Sequence, residues 1–341
     1  MIFVYILIGL LAFAFISLMI FGAVGFKIAC VSRRTKKPET DPKRILRGEL
    51  RKKNNAYMLS HPHEDLELKT RDGIRLTARY IPAEKETKKF VICIHGHNCN
   101  GPDEMSHLFP FYHNEMGYNY FLPDLRGHGR SSGNIIGFSG LDYKDINLWI
   151  DYLVERFGSD IEIILHGISM GASTSMQVNN HNPAPQVKLI IEDCGFTSAF
   201  EEVSATTRQM VKFLKTDLVI HFINFHCKLF AGYDLKKDAN PLATMKNAKN
   251  PVLFIHGEAD TKVPFPMCQR LYDACPTEKE IFTVPDAVHA YCYYDAKEEY
   301  DNRMRAFIAK HFDPTVADRV TGAIRTMPES DSFQRFSAFR D

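Results

Sequence analysis

The feature that most constrains this chain is a serine set between two glycines at the end of an apolar run, Leu165-His166-Gly167-Ile168-Ser169-Met170-Gly171-Ala172. Ile161, Ile163, Ile164 and Leu165 read as a buried strand and Ala172 to Val178 as a helix, so Ser169 falls on a sharp strand-to-helix turn. A serine on such a turn takes a strained backbone, and its neighbours must be small so that strand, helix and adjoining strands can approach. Gly167 and Gly171 meet that need. The segment therefore predicts a reactive hydroxyl held at the edge of a sheet.

An acid and a base follow in useful places. Pro251 to Gly257 is an apolar strand, and the polar loop Glu258-Ala259-Asp260-Thr261-Lys262 lies at its carboxyl end, the edge where open α/β sheets keep their working groups. Glu280 to Val284 reads as the next strand, and the loop after it carries His289, 29 residues beyond Asp260. The chain order Ser169, Asp260, His289 differs from the orders of the chymotrypsin and subtilisin types. Upstream, Val91 to Ile94 is a strand ending in His95-Gly96-His97-Asn98. A backbone N–H there, with that of Met170, predicts a pair of oxyanion donors, the first assigned to His97.

With these motifs the chain resembles the α/β-hydrolase superfamily from about Asp65 to Phe312. Asp124-Leu125-Arg126-Gly127-His128-Gly129-Arg130-Ser131 is similar to the family's D-x-R-G-x-G-x-S loop. Glu192 to Ser198 is similar to the segment after the strand that follows the serine turn. The subgroup it resembles is the membrane-anchored bacterial esterase-like hydrolases, with similarity to the serine aminopeptidase and monoacylglycerol-lipase-like branches. The resemblance implies Ser169 as nucleophile, Asp260 as acid, His289 as base, and backbone donors on His97 and Met170. One departure is that His97, Asn98 and Cys99 stand where many lipases of the superfamily carry a longer glycine run.

The rest of the chain fits one α/β domain with a mostly parallel sheet, helices on its faces, and an anchor. At 341 residues no second domain is needed. A hairpin, Asp65–Thr70 and Ile74–Ile81, precedes strands near 89–95, 117–123, 160–166, 186–192, 250–256 and 279–284, separated by helical patterns. In the clearest helix, Tyr143 to Phe157, Trp149 is expected as core. The segment 199–239 breaks the alternation and is apolar (Val211, Phe213, Leu214, Phe222, Phe225, Phe230), which predicts a small helical cap and an apolar acyl pocket.

The amino terminus sets the expected location. Met1 to Gly25 has no charged side chain, and Ile2 to Phe21 supplies 20 predominantly apolar residues, enough for a transmembrane helix. The small residues Ala23-Val24-Gly25 keep a cleavable signal peptide as the alternative. Residues 27–53 then carry a net +8, in a chain of net +1, leaving −7 elsewhere. The expected division is an anchor at 1–26, a basic juxtamembrane stalk at 27–60, the hydrolase domain at 61–312 and a tail at 313–341. The positive side is expected in the cytoplasm, with the catalytic domain. Beside a membrane span the basic run is expected to meet anionic headgroups rather than nucleic acid.

The eight cysteines show no disulfide spacing, so no structural disulfide is expected. Cys194 lacks a surrounding serine-type turn. His61-x-His63 and His95-x-His97-x-Cys99 lack further partners at metal spacing, and Gly127-His128-Gly129 lacks the third glycine of a dinucleotide loop. Neither metal nor cofactor is expected. The pattern implies acyl transfer through an acyl-enzyme on a small acyl ester or thioester. An aminopeptidase-like reading needs an acidic anchor for the substrate amine, for which Glu192, Asp193 and Glu258 are the candidates. A third reading is a non-catalytic, membrane-tethered interaction protein on the same scaffold.

Overall fold

A computed structural model describes residues 1–32, 39–210 and 216–321. In chain order its elements are α1 (Ile2–Cys30), α2 (Pro42–Leu59), β1 (Glu64–Lys69), β2 (Arg75–Ile81), β3 (Lys89–Ile94), the short α3 (Gly101–Met105), β4 (Asn119–Asp124) and α4 (Asp142–Phe157). They continue with β5 (Glu162–Ile168), α5 (Met170–Asn180), β6 (Val187–Asp193), α6 (Ala199–Met210), α7 (Thr216–His226), the one-turn α8 (Pro241–Thr244), β7 (Val252–Gly257), α9 (Pro266–Ala274), β8 (Lys279–Val284), the one-turn α10 (Cys292–Asp295) and α11 (Lys297–His311).

The strands form one eight-stranded sheet in the order β1-β2-β4-β3-β5-β6-β7-β8. β1 and β2 pair antiparallel, β2 meets β4 antiparallel, and β3 to β8 are parallel throughout. This is the α/β-hydrolase fold. A parallel strand covered on both faces is apolar along its length, and accordingly Ile163, Ile164 and Leu165 of β5 are all fully buried. α4 follows from the apolar face Ile146, Trp149, Ile150 and Leu153, and Gly158 stops it at φ +100°. Trp149 packs edge-on against Phe121 with ring centroids 5.3 Å apart, inside the core.

The N-terminal segments differ from the expected anchor and stalk. α1 continues past residue 26 to Cys30, and its last turn is built into the domain. Phe26 and Cys30 are buried, the Cys30 carbonyl accepts from the Ile136 N–H at 2.9 Å, and Val31 bridges Ile135. Residues 42–59 form a docked helix where charge alone predicts a stalk. Asp41 caps it by accepting from the Arg44 N–H at 3.1 Å, Pro42 fits its first turn, and Leu50 and Met58 bury against the domain. Several of its charges face protein: Lys43 pairs with Asp295 at 2.8 Å, Arg51 with Glu104 at 3.0 Å, and Arg47 lies over the Tyr291 ring at 4.4 Å.

The segment 199–239 forms α6, α7 and a π-helical turn, Cys227–Ala231. Val211, Phe213 and Leu214 lie outside the described residues. α7 packs along α1: a Cβ added at Gly22 would lie 2.6 Å from the Phe222 Cβ, and one at Gly25 would meet Ile223 at 2.5 Å. The tail begins as a 3₁₀ segment, Pro314–Thr321, with Val316 buried.

Candidate active site

The site is assembled at the carboxyl ends of β3, β5, β7 and β8. Ser169 sits between β5 and α5 at φ +57°, ψ −116°, a conformation that costs a non-glycine residue about 1–3 kcal/mol. Its surroundings enforce it. A Cβ at Gly167 would overlap the Gly171 carbonyl, and one at Gly171 would overlap the Ile94 carbonyl on β3. The Ser169 N–H donates to the Asp193 carbonyl at 2.7 Å. The turn therefore cannot relax without separating β3, β5 and α5, and the hydroxyl stays on the sheet edge.

His289 and Asp260 meet that hydroxyl from the next two strands. The His289 Nε2 lies 2.8 Å from Ser169 Oγ, and its Nδ1 lies 2.6 Å from Asp260 Oδ2. The other carboxylate oxygen accepts from the Lys262 and Val263 N–H groups, each at 2.9 Å, which orients the acid. Gly257 and the Ala287 carbonyl approach too closely to admit a Cβ, so the acid loop and the histidine loop are pinned together. Burial, with the Lys262 charge, lowers the His289 pKa against the opposing pull of Asp260. The neutral imidazole, with Nδ1–H toward Asp260, is the form able to accept the serine proton. Elsewhere in these loops, Glu258 accepts from Thr283 Oγ1 at 2.7 Å and Asp286 is exposed.

The side expected to hold the oxyanion donors is more elaborate than its motif. A Cβ at Gly96 would lie 3.2 Å from the Ser169 Cβ, so the Gly96-His97 stretch runs directly over the serine turn. Met170 is the first residue of α5, and its N–H has no carbonyl in a preceding turn to bond. Behind the loop, the Gly96 N–H donates to Glu104, and Asn98, at φ +57°, donates its N–H to His128 Nε2 at 3.1 Å. His97 Nε2 lies 2.9 Å from the Ala29 carbonyl in the last turn of α1, and its Nδ1 accepts from Asn98 Nδ2 at 3.1 Å. Burial raises the Glu104 pKa, but the Arg51 guanidinium and the Gly96 N–H bring it down to about 2, so the carboxylate is charged. Arg51, Glu104 and His128 were not among the sequence-derived site residues. Arg51 lies 53 residues from Glu104 and His128 lies 30 from Asn98, and only His128 lies in a recognised motif.

Other residues singled out by sequence fall into place around this frame. Glu192 is buried, accepts from the Gly195 N–H at 2.8 Å, and burial with the neighbouring Asp193 pushes its pKa up to about 8. Asp193, pushed by burial to about 7, accepts from Tyr300 at 3.0 Å. Both carboxyls face protein. Arg126 grips Asp145 through two 2.7 Å bonds and Asp72 at 2.9 Å, tying the β1–β2 turn to α4. None of the eight cysteines is joined in a disulfide. Cys194 Sγ shares a cluster within 4.8 Å with Asp260 and His289, but burial and Asp193 hold its thiol well above the ordinary range, hence protonated.

The cap's phenylalanines take a different position from the expected acyl wall. Phe222 packs edge-on with Phe15 of α1 at 5.9 Å, while Phe225 and Phe230 are exposed on the outer surface. The aromatic side chains beside the loop are instead Phe138, 5.1 Å from the His97 ring, and Phe196, 6.3 Å from Phe138.

Residues 104–315 match the prolyl oligopeptidase family. The chain belongs to that family. Its curated relatives include YqkD of Bacillus subtilis (strain 168), 26% identical over 236 residues, 69% of this chain and 76% of that protein. Protein bem46 of Schizosaccharomyces pombe is 26% identical over 235 residues, 67% and 71% of the two chains. Among solved structures, a Pyrococcus furiosus esterase superposes with a TM-score of 0.62 at 21% identity, covering 83% of this chain and 98% of its own. A Pyrococcus horikoshii acylaminoacyl peptidase gives 0.53 at 18% identity, over 75% of this chain and 43% of that one. At these identities the likeness to both structures is one of fold.

Proposed function

We propose that this member of the prolyl oligopeptidase family is a serine hydrolase that cleaves carboxylic ester or thioester bonds of apolar acyl substrates. The reading is carried by one observation, the unbroken line from Asp260 through His289 to Ser169, with bonds of 2.6 and 2.8 Å. In this reading His289 takes the Ser169 proton as Oγ attacks the carbonyl, and Asp260 holds the imidazole in its tautomer and stabilises the imidazolium. The N–H groups of His97 and Met170 receive the oxyanion, the protonated His289 releases the alcohol or thiol, and water then repeats the cycle on the acyl-enzyme. The roles of all five residues are part of the proposal. The apolar preference rests on Phe138, which packs against the His97 ring beside the loop. α1, a single helix long and apolar enough to cross a bilayer, supports membrane anchoring.

A peptidase reading is favoured by the family's name. Against it stand the three acids that sequence offers as amine anchors: Glu192 and Asp193 are buried and engaged, and Glu258 is bonded to Thr283. The test uses the full chain in detergent micelles, because a fragment starting at residue 54 divides α2 and removes Arg51. A fluorophosphonate should label the wild type and not Ser169→Ala, and Asp260→Asn should lower kcat by up to ~10⁴-fold. Turnover of graded acyl esters in preference to amino-acid amides is expected. Labelling that persists in Ser169→Ala removes the nucleophile, and faster amide turnover hands the site to the peptidase reading.

A further inference from the structure

The loop that faces Ser169 is held from behind by the two helices that precede the hydrolase sheet. One hold passes through Glu104. Its carboxylate accepts the Gly96 N–H through Oε2 and Arg51 Nη2 of α2 through Oε1 at 3.0 Å, and both side chains of this ion pair are largely shielded from water, 16% and 9% exposed. Arg51 also reaches the far end of the same loop, with Nη1 3.8 Å from Cys99 Sγ. α2 is itself fixed there: Asn55 donates to Asp103 at 3.0 Å, and Leu50 and Met58 are buried. The second hold is independent of the first. His97 Nε2 donates to the Ala29 carbonyl of α1 at 2.9 Å, and Cys30 and Ser32 continue into backbone bonds with Ile136 and Asn134.

An oxyanion hole works because its donors are aimed before charge develops, so whatever fixes their direction acts on the transition state more than on substrate binding. The carbonyl of the peptide between Gly96 and His97 accepts from His95 Nδ1 at 2.7 Å, and the same stretch is fixed from behind by the Gly96 N–H on Glu104 and by the His97 side chain on Ala29. Resting on the hydrolase reading above, we propose that Arg51, acting through Glu104, and the Ala29 carbonyl, acting through His97, are positioning groups for the oxyanion hole. The anchor helix and the basic helix thus belong to the catalytic apparatus as well as to membrane attachment. Arg51 is the foremost positive charge on this shielded carboxylate, with His95 of the loop and Arg47 of α2 acting in the same direction more weakly. Without Arg51 burial weighs more and the Glu104 pKa rises, so its hold on the Gly96 N–H weakens as the pH falls.

The experiment uses full-length protein in detergent, with activity normalised to the fraction labelled by fluorophosphonate. Arg51→Ala is expected to lower kcat about tenfold or more at nearly constant KM, and to weaken a trifluoromethyl ketone, which forms an oxyanion on the serine, by a similar factor. The ascending limb of its kcat–pH profile should move to higher pH, because activity then also requires Glu104 to ionise. Arg51→Lys should recover part of the loss. His97→Gln, which keeps a side-chain donor for Ala29, should exceed His97→Leu in kcat. If Arg51→Ala does not fold, Arg51→Lys and Glu104→Gln are read for the same kcat and inhibitor losses at constant KM. Values of kcat and inhibitor affinity within twofold of wild type in Arg51→Ala, or in Glu104→Gln where Arg51→Ala does not fold, overturn the proposal, as does a loss shared equally by kcat/KM and the labelled fraction. In each such case Ser169-dependent labelling would persist, whereas absence of labelling in the wild type is a failure of the hydrolase reading itself.

Discussion

At the residue level the chemistry is set by which charges are kept and which are suppressed. Glu104 is held ionised at about 2 by Arg51 and the Gly96 N–H despite its burial, while Glu192 and Asp193 are pushed by burial to about 8 and 7. His289 sits between these regimes. Burial and the Lys262 charge lower its pKa, and Asp260 works in the opposite direction. Under the proposed role His289 acts as base when neutral, so a lowered pKa is expected to extend activity toward acid pH. Lys262→Gln removes a positive charge that lowers the pKa, so the ascending limb of kcat/KM against pH should move to higher pH, with plateau kcat within about twofold of wild type. An unmoved limb, or one displaced toward acid pH, contradicts that account. The alignment of Ser169, Asp260 and His289 was legible from sequence because each follows a recognisable strand within five residues, and the sheet sets those strand ends on one edge. Glu104 was not, since a carboxylate in a short helix gives no sign that a glycine N–H lies behind it.

Among the elements, the contact between α1 and the cap is the least ordinary. Small residues allow it: Gly22 and Gly25 present bare backbone to Phe222 and Ile223, and Phe15 and Phe26 flank them, meeting Phe222 and Phe230 at 5.9 and 6.0 Å. Gly9 on the same helix has nothing within 4 Å of its Cβ position. Gly22→Leu should therefore force α7 away from α1, costing about 1–3 kcal/mol as overpacking does, and make the cap more sensitive to limited proteolysis. Gly9→Leu should behave as wild type. Equal protease sensitivity in the two variants would show that the helices do not depend on this packing. A helical insert was legible from its apolar composition, but its partner was not: the same phenylalanines suit an acyl pocket or a neighbouring helix, and composition does not distinguish them. α2 was obscured for a related reason. Its eye-catching charge suggests a stalk, whereas Asp41-Pro42 and the buried Leu50 and Met58 are what make it a docked helix.

For the whole molecule, the question is how a cytoplasmic reading of the domain fits an anchor that is also a structural part of it. Exposed apolar side chains run along α1 from Ile2 to Val24 and continue onto the cap through Leu218, Phe225, Leu229 and Phe230. A Cβ at Gly22 would meet the Phe222 backbone, so α7 crosses α1 five residues, about 7.5 Å at 1.5 Å per residue, before Lys27, the first charged side chain of that helix. Cleavage after Gly25 would strip Phe15, Gly22 and Gly25 from α7 and bare Phe222 and Ile223. The expectation is thus an uncleaved anchor with the net +8 segment and the domain in the cytoplasm. Native cysteines are poor reporters, seven being buried and Cys99 half-buried. Glu155→Cys, on the exposed face of α4, supplies one. A membrane-impermeant maleimide should label it only after the cells are permeabilised, and the intact mass should retain the apolar N-terminus. Labelling in intact cells would place the domain outside and make the positive segment a poor guide to orientation. A mass short of the first 25 residues would mean that α7 finds its cover elsewhere.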